Sequence, residues 1–206
     1  MIFFSGATLY GATEWLAHSI AAKHNVEACP RISVGAPGTT QPYSASVFNI
    51  SAMSFGSLGA HAIEALSTGA GKGNFYHDTG EGGVSPYHRA GGADLVWEIG
   101  SGYFGCRARD GSFDAARFED VAKDPQIKMI EIKLSQGAKP GHGGVLPGAK
   151  VTAEIAATRG IPIGETCFSP PAHSAFSTPL EMMAFVARLR DLSGGKPVGI
   201  KFCVGN

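Results

Sequence analysis

The sequence lacks the cysteine patterns that mark metal and disulfide sites. Its four cysteines stand at positions 29, 106, 167 and 203, without any C-x-x-C spacing. The sequence therefore predicts no zinc knuckle and no local iron–sulfur site. Cysteine this sparse fits a reducing compartment, and we expect a cytoplasmic protein.

An excess of one charge and long hydrophobic runs are also missing. Lys+Arg and Asp+Glu are both 17, so the formal net charge is zero. No segment is basic enough to neutralise the phosphates of nucleic acid or of an anionic membrane. No stretch reaches the ~18 apolar residues of a membrane span. The apolar residues 1–4 follow no cationic segment, unlike a secretory signal. With 44% hydrophobic residues, we expect a globular protein that binds neither nucleic acid nor membrane.

Glycine, by contrast, is abundant. It supplies 29 of 206 residues, about twice the average share. The glycines gather in short runs between segments with helix or strand periodicity, where they let the backbone approach a ligand closely. This distribution favours a protein with several ligand-facing loops.

The order of predicted elements indicates an α/β fold. Residues 12–26 have helical periodicity, and a Pro/Gly-rich passage follows from Pro30 to Pro42, so residues 1–42 are predicted to be a helix and an arm. Beyond residue 43 strands and helices alternate, as in a parallel sheet. The predicted strands are 46–50, 74–77, 103–106, 128–134 and 198–204, and the predicted helices are 58–70, 114–122, 149–159 and 179–192.

The loops distinguish a closed barrel from an open sheet. Distinctive sequence follows nearly every predicted strand end, and (β/α)₈ barrels place their chemistry at that face, from many strands at once. A complete barrel needs ~250 residues, and the chain ends at Asn206 directly after a predicted strand. We therefore expect residues 43–206 to form a partial (β/α)₈ barrel, incomplete at its C-terminus.

Two glycine-containing loops follow the first predicted strands. The segment SAMSFGS at 51–57 opens a helix, so its N–H groups could face a ring edge or an anion; the alternative is a plain turn with Ser57 as N-cap. The segment DTGEGG at 78–83 places Glu81 between glycines, where the carboxylate can reach into a site. Its alternative is a flexible acidic turn.

The segment KLSQGAKPGHGGVLPG at 133–148 has the highest density of candidate residues. Lys133 ends a predicted strand and Lys139 lies in the glycine loop after it. The two ammonium groups suit the flavin N1/O2 edge and a carboxylate, although a strand-end lysine can also be a solvated edge charge. Lys201, near the end of the last predicted strand, has the same two interpretations.

Two other motifs are weaker. GSGYFG at 100–105 has the letters of a dinucleotide-binding loop, but a helix-like stretch precedes it and no helix follows directly, so we predict no Rossmann site there. His142, His173, His77 and Asp78 raise the possibility of a metallohydrolase centre. No two of these histidines have a ligand spacing on one strand or helix face, so we expect no metal.

Together and in this order, these segments resemble the FMN-binding barrel of glutamate synthases, in particular family members without the fused glutaminase domain. The resemblance runs from about residue 43 to the end. Its most specific stretch is IKLSQGAKPG at 132–141, supported by AMSFGS, TGEGG, SGYFG and SPPAH at 52, 79, 101 and 169.

The resemblance implies a reaction and a set of roles. Reduced FMN would give a hydride to 2-iminoglutarate, formed from 2-oxoglutarate and ammonia, to yield L-glutamate. The implied flavin contacts are Ala52, Met53, Ser54, Glu98, Lys133 and Lys201. Glu81, Lys139 and Arg159 match positions around the 2-oxoglutarate site, with Glu81 and Lys139 as the catalytic candidates. The family's iron–sulfur cysteines and phosphate-binding glycine loops would lie beyond Asn206, and the resemblance names no electron donor.

Three departures from the family pattern keep rivals open. Glu98 stands where the family has a flavin-binding glutamine, and an ionised carboxylate only accepts hydrogen bonds. His142 and Val145 replace a glutamate and a substrate-side glutamine in PGHGGVLP. One rival is an FMN barrel for another oxo acid or amine. The other is a non-catalytic partial barrel, whose open strand edges would require a partner, a further copy or a missing C-terminal half. Arg159 also has a simpler explanation, because a cation in the last turn of a helix favours the macrodipole.

Overall fold

The computed structural model describes residues 20–21, 29–35, 37–134, 136 and 141–203. The helix predicted over residues 12–26 falls almost entirely outside them, as does Lys139. Two short strands, β1 (Arg31–Val34) and β2 (Tyr43–Ser46), form an antiparallel pair; β1 lies within the Pro/Gly-rich passage and β2 follows it. The first strand of the fold thus lies within the predicted arm and pairs with the residues that follow it.

A parallel four-stranded sheet forms the centre of the described chain. Its strands, in spatial order, are β3 (His77–Asp78), β4 (Leu95–Ile99), β5 (Ile127–Lys133) and β8 (Val198–Lys201). A parallel bridge between Ile50 and His77 extends the sheet on the β3 side. Neighbouring strands of this sheet therefore succeed one another along the chain, and their carboxyl ends lie at one edge.

Helices and one small antiparallel strand pair connect the strands of the sheet. The helices are α1 (Ala60–Gly73), α2 (Pro86–Ala90), α3 (Ala115–Ala122), α4 (Ala153–Arg159) and α5 (Pro179–Leu192). The strand pair consists of β6 (Val145–Leu146) and β7 (Cys167–Phe168), which are antiparallel, with α4 in the connection between them. This alternation of strands and helices confirms the predicted α/β class.

Local sequence explains where the better-defined helices begin. Asp114 caps α3 by accepting from the N–H groups of Ala116 and Arg117. Thr178 and Glu181 form a reciprocal capping box at α5, with Pro179 at the first position, where its missing N–H costs nothing. These caps satisfy N–H groups that the helix itself leaves without partners.

The two faces of the sheet differ in chemistry because side chains alternate along each strand. On one face, Trp97, Ile130 and Ile132 pack against α3 and α5, with the Trp97 and Phe118 rings stacked at 5.2 Å. On the other face Val96 and Met129 pack with Tyr43 and Ala45 of β2. Above that apolar patch, toward the carboxyl ends, the same face carries charged side chains.

A buried lysine joins α3 to the sheet. Lys196 donates from Nζ to the carbonyl of Ala122 and to that of Asp124 (2.9 Å), at the end of α3. A cation satisfies carbonyl groups at a helix C-terminus and interacts favourably with the helix dipole. The sequence motifs do not mark this lysine.

Several predicted elements are confirmed and several are wrong. The predicted helix at 179–192 is α5, and those at 58–70 and 114–122 correspond to α1 and α3, with Ile63 of α1 buried. The predicted strand at 128–134 corresponds to β5 and that at 198–204 to β8, of which 204 lies outside the described residues.

The errors share one cause, which is that local pattern does not report strand pairing. Residues 103–106 form no strand; they are a buried loop, with Tyr103 at a positive φ of 49°. The stretch before them, which was interpreted as helix-like, is instead the strand β4. One of the two reasons given against a Rossmann site is therefore wrong. The other holds, because no helix follows the motif directly. The predicted strands at 46–50 and 74–77 are largely wrong: the first overlaps β2 (Tyr43–Ser46) only at Ser46 and the second overlaps β3 only at His77. The predicted helix at 149–159 begins at Ala153 after a 3₁₀ turn.

Within the described part of the chain, none of the helices is both long and apolar enough to cross a membrane.

Candidate functional site

The carboxyl ends of β3 and β5 bring two predicted site residues together. The Lys133 ammonium lies 3.3 Å from a Glu81 carboxylate oxygen, and both side chains are about 15% exposed. Gln136 joins them: its amide nitrogen donates to both Glu81 oxygens, at 2.9 and 3.0 Å, and its amide oxygen accepts from Lys133 at 3.2 Å. We call Glu81, Lys133 and Gln136 the strand-end triad. Lys139, the third residue predicted here, lies outside the described residues.

Glycine at position 80 allows the loop at 51–57 to contact the loop at 78–83. Gly80 has φ +64°, and a Cβ there would lie 2.6 Å from the backbone nitrogen of Ser54. The Met53 N–H also donates to the Asp78 carbonyl at 3.1 Å. The predicted flavin-contact loop, residues 52–54, is therefore packed backbone to backbone against the turn that carries Glu81. Ser57 does not cap α1, whose N-cap is Gly59; its hydroxyl bonds to that of Ser54 at 2.9 Å.

A second charged group lies beside the triad on the same face of the sheet. Glu98 and Glu131 are register partners on β4 and β5, and Lys133 is the partner of Lys201 on β8. The Lys201 ammonium contacts Glu98 directly and lies 3.4 Å from Glu131. Lys133 lies 4.0 Å from the other Glu98 oxygen. Glu98 therefore stands between both predicted flavin lysines.

Burial sets the protonation of this second group. Carboxylate oxygens of Asp78, Glu98 and Glu131 all lie within 4.8 Å of one another. Desolvation, with repulsion from Glu98 and Glu131, raises the pKa of Asp78 well above its ordinary value. Desolvation raises the pKa of Glu98 to about 7 even though Lys201 and Lys133 oppose the shift. Asp78 and Glu98 are buried and Glu131 is half-buried, and the raised pKa values of Asp78 and Glu98 mean that this group retains a proton near neutral pH.

The lysine in this group stays charged. Desolvation opposes the charge on Lys201, but Glu98, Asp78 and Glu131 outweigh it and raise its pKa above the usual range. Oxygens of Glu98 and Glu131 are nevertheless buried without a hydrogen bond. Because Lys201 already sits between these carboxylates, the cluster is better described as an ion-pair network than as an empty metal site.

Arg159 lies near the triad but forms a different set of contacts. It is 5% exposed at the end of α4, donates from Nη2 to the Phe55 carbonyl at 3.2 Å and lies 4.9 Å over the Phe104 ring. Its guanidinium also borders Gly56 and Gly82, on the two loops described above. Arg159 thus contacts both loops that border the site.

The triad opens on a narrow cleft, and the roomier cavities lie elsewhere. The cleft is lined by Glu81, Ser101, Lys133, Gln136, His142, Pro170 and Pro171. A cavity of about 480 Å³ lies lower on the same face, between the arm and β8, and a larger one opens near Asp94 and Lys128, at the amino ends of the strands. We place the site at the cleft because charged groups from separate loops converge there, which cavity size alone does not show.

Sequence reasoning missed three residues at this site. Gln136 could have been found, since it lies three residues after Lys133 in the most distinctive motif. His88 attracted no attention, and His173 was considered only as a metal ligand. His88 bonds to the carbonyl of Met53 and His173 to the carbonyl of Lys133. No sequence spacing could have shown these contacts, because their partners are 35 and 40 residues away.

Comparison with known proteins gives this geometry a family context. A family model described as "Conserved region in glutamate synthase" matches residues 24–206. The chain is 48% identical over 157 residues to the glutamate synthase large subunit-like protein YerD of Bacillus subtilis. It is 36% identical over 152 residues to the archaeal glutamate synthase [NADPH] of Archaeoglobus fulgidus.

The matched lengths are unequal in these comparisons. The match with the Bacillus protein covers 76% of this chain and 30% of that protein, and the match with the Archaeoglobus protein covers 73% and 27%. A similar protein of Thermotoga sp. strain RQ2, also an archaeal-type glutamate synthase [NADPH], is 34% identical over 73% of this chain and 27% of its own length. The chain thus spans less than a third of these relatives.

Proposed function

The chain belongs to the glutamate synthase family, and we propose on this basis that it forms part of an FMN-dependent oxidoreductase that makes L-glutamate. The proposed reaction is reduction of 2-iminoglutarate, formed from 2-oxoglutarate and ammonia. Because the relatives are more than three times as long as the matched segment, we propose that the active unit also uses residues outside this chain. Its electron donor, and any iron–sulfur cluster, would belong to those residues.

We propose that the sheet is one part of a (β/α)₈ barrel. Two features support this proposal: neighbouring strands follow one another in chain order, and α3 and α5 pack on one face. A doubly wound sheet reverses its strand order and carries helices on both faces. The opposite face, with Asp78, Glu98 and Glu131, would then point into the barrel, and the triad would lie at its catalytic end.

The residues present fit the ring system of a flavin. Lys133 and Lys201 supply ammonium groups at adjacent strand ends, which suit the N1/O2 edge, and the loop at 52–54 supplies backbone groups. Glu98, 1% exposed, has one carboxylate oxygen without a hydrogen bond and thus free to accept one. When bound, FMN would supply the hydride, and these residues would hold and orient its ring.

We propose that Glu81, Lys139 and Arg159 serve the substrate. Two cations suit a dicarboxylate, because charge-assisted hydrogen bonds set both affinity and orientation. Glu81 is held by Lys133 and Gln136, which keeps its carboxylate at a defined place beside the cleft. A carboxyl group so held can pass a proton to or from a substrate nitrogen.

The observation that carries the proposal is the convergence of Glu81 and Lys133 at the carboxyl ends of β3 and β5. The test is an FMN titration of a full-length protein containing this segment, followed by the change in flavin fluorescence. We expect Lys133→Ala to weaken FMN binding at least ~10-fold, a loss typical of a charged hydrogen bond.

A matched control lies on the same strand. Lys128→Ala also removes a lysine of β5, but at the amino end, where Lys128 lies 3.7 Å from Asp94. We expect this change to leave FMN affinity unaltered. If the full-length protein takes up no FMN, or if both lysine changes have equal effects, the cofactor assignment is wrong.

One observation favours a second substrate. His142 lines the cleft with Glu81 and Lys133, at a position where the family pattern has glutamate. An imidazole ring there, in place of a carboxylate, would suit an oxo acid other than 2-oxoglutarate, or an amine. Assay of a full-length protein containing this segment, with reduced FMN, ammonia and a panel of oxo acids, separates the two. Preference for 2-oxoglutarate would exclude the alternative.

A further inference from the structure

Two buried histidines bond to the backbone of predicted flavin contacts. His88 Nε2 lies 2.8 Å from the carbonyl oxygen of Met53. His173 Nε2 lies 2.7 Å from the carbonyl oxygen of Lys133. His88 is fully buried and His173 is 7% exposed. His88 thus contacts the loop at 52–54, and His173 contacts the end of β5.

The partners of His88 determine its tautomer. A carbonyl oxygen can only accept, so Nε2 must carry the hydrogen. On the other side of the ring, the Ser85 backbone N–H donates to Nδ1 at 3.1 Å, and only an unprotonated Nδ1 can accept it. The Ser85 hydroxyl lies 2.7 Å from the same nitrogen. Neither backbone partner can reverse its role, so the geometry requires a neutral ring with the hydrogen on Nε2.

His173 is set in the same tautomer by a hydroxyl. The Ala175 N–H donates to the Tyr103 oxygen at 3.1 Å, which leaves the Tyr103 hydrogen to donate to His173 Nδ1, also at 3.1 Å. The ring is further fixed by stacking on Phe176 at 4.8 Å. His173 Nε2–H then donates to the Lys133 carbonyl, at the residue where β5 ends.

Protonation would affect the two histidines differently. A hydrogen on Nδ1 of His88 would face the N–H of Ser85, donor against donor, whereas Tyr103 can turn its hydroxyl away from His173. Burial lowers the pKa of both rings. The charged and titratable neighbours of His88, Arg89 and the His77 ring (5.2 Å), do not favour a second proton there.

We propose that His88 and His173 are positioning residues of the cofactor site, each holding the carbonyl of a flavin contact, Met53 or Lys133, through its Nε2–H. This inference rests on the proposed function, because it assigns these carbonyls to the walls of a flavin site. Neither histidine need touch the flavin. Each fixes the direction of a strand end or loop, and thereby the side chain and N–H groups that do.

The first test reads the tautomers directly by ¹⁵N NMR of the histidine rings. His88→Gln and His173→Gln assign the two signals. We expect both rings to be neutral with the hydrogen on Nε2 at neutral pH, and to take up a second proton only below the ordinary pKa of histidine. A hydrogen on Nδ1 of either ring would overturn the assignment for that residue, whatever the chain binds.

The second test measures FMN affinity in matched variants. Phe at position 88 or 173 fills the space of the ring without a donor, whereas Gln restores an uncharged N–H. We expect each Phe variant to bind FMN ~10-fold more weakly and each Gln variant to stay within ~3-fold of wild type, as for loss and rescue of one hydrogen bond. His61→Phe is the control and should change nothing.

The outcomes separate this inference from the proposed function. No FMN binding by the full-length wild-type protein would overturn both. FMN binding that is equal in wild type and in the Phe variants would overturn the positioning role alone. If the Phe variants do not fold, the pH profile decides. Wild-type affinity should fall as His88 takes up a proton, relative to the His88→Gln variant, and parallel profiles would contradict the inference.

Discussion

Removal of the Lys201 ammonium should expose the energetics of the charged face of the sheet. Lys201→Met leaves the almost fully buried Glu98 without its direct ion-pair partner. Loss of one partner of a buried pair costs ~3–5 kcal/mol when the other must stay charged. Glu98 can instead take up a proton, because its pKa is already about 7 in the intact network. We therefore expect a cost of about 2–4 kcal/mol near pH 8.

The pH dependence of that cost follows from the same carboxyl group. Its folded pKa lies above its unfolded value of 4.5, so the folded state binds the proton more tightly and stability rises as pH falls. Between about pH 8 and 5.5, wild type gains roughly 1.5 pH units of this effect, about 2 kcal/mol. In the variant Glu98 is expected to be protonated throughout this range and to gain roughly 2.5 units, about 3 kcal/mol. The penalty should therefore shrink by about 1 kcal/mol at the lower pH.

Urea unfolding followed by tryptophan fluorescence at both pH values measures this difference. The control is the double variant Glu98→Gln, Lys201→Met, which has no charge at either position and should lie within about 1 kcal/mol of wild type. A penalty that is equal at the two pH values, or a double variant as unstable as the single one, would refute the reasoning.

Three further predictions concern stability. Phe118→Ala removes a fully buried ring stacked on a tryptophan and should cost about 3–5 kcal/mol in urea unfolding, whereas Met183→Ala on the exposed side of α5 should cost under about 1; equal costs would disprove the assigned core. Gly80→Ala should destabilise the chain by at least about 1 kcal/mol more than Gly92→Ala, since both glycines have similar positive φ (64° and 67°) but only Gly80 has backbone within 3 Å of a new Cβ; similar melting temperatures for the two variants would show that the loop contact is absent. Burial, with the neighbouring His88, lowers the pKa of His77 from 6.5 to about 4, so the unfolded state binds this proton at a higher pH than the folded state. The free energy of unfolding should therefore fall by on the order of 3 kcal/mol as pH falls from 6.5 to about 4. A His77→Phe variant whose stability has the same pH slope as wild type would contradict this.

Much of the site could be predicted because its signals are short in sequence. Glu81, Lys133 and Lys201 each stand at or just after the end of a strand, and parallel strands bring such positions to one edge. The proximity of Glu81 and Lys133 is confirmed. Their proposed roles toward FMN and substrate, and those of Ala52, Ser54 and Lys139, remain predictions.

Sequence alone determined the elements whose cause is local. The capping residues and apolar periodicity of α3 and α5, and the regular alternation of β5, each act within a few residues, so pattern was sufficient to locate them. Tertiary structure alone decided β4, the buried loop at 103–106, the cap that Lys196 places on α3 and the tautomers of His88 and His173. Each of these depends on a hydrogen bond or burial contact between distant residues, and the free energy of such contacts outweighs the local preference of the residues that make them.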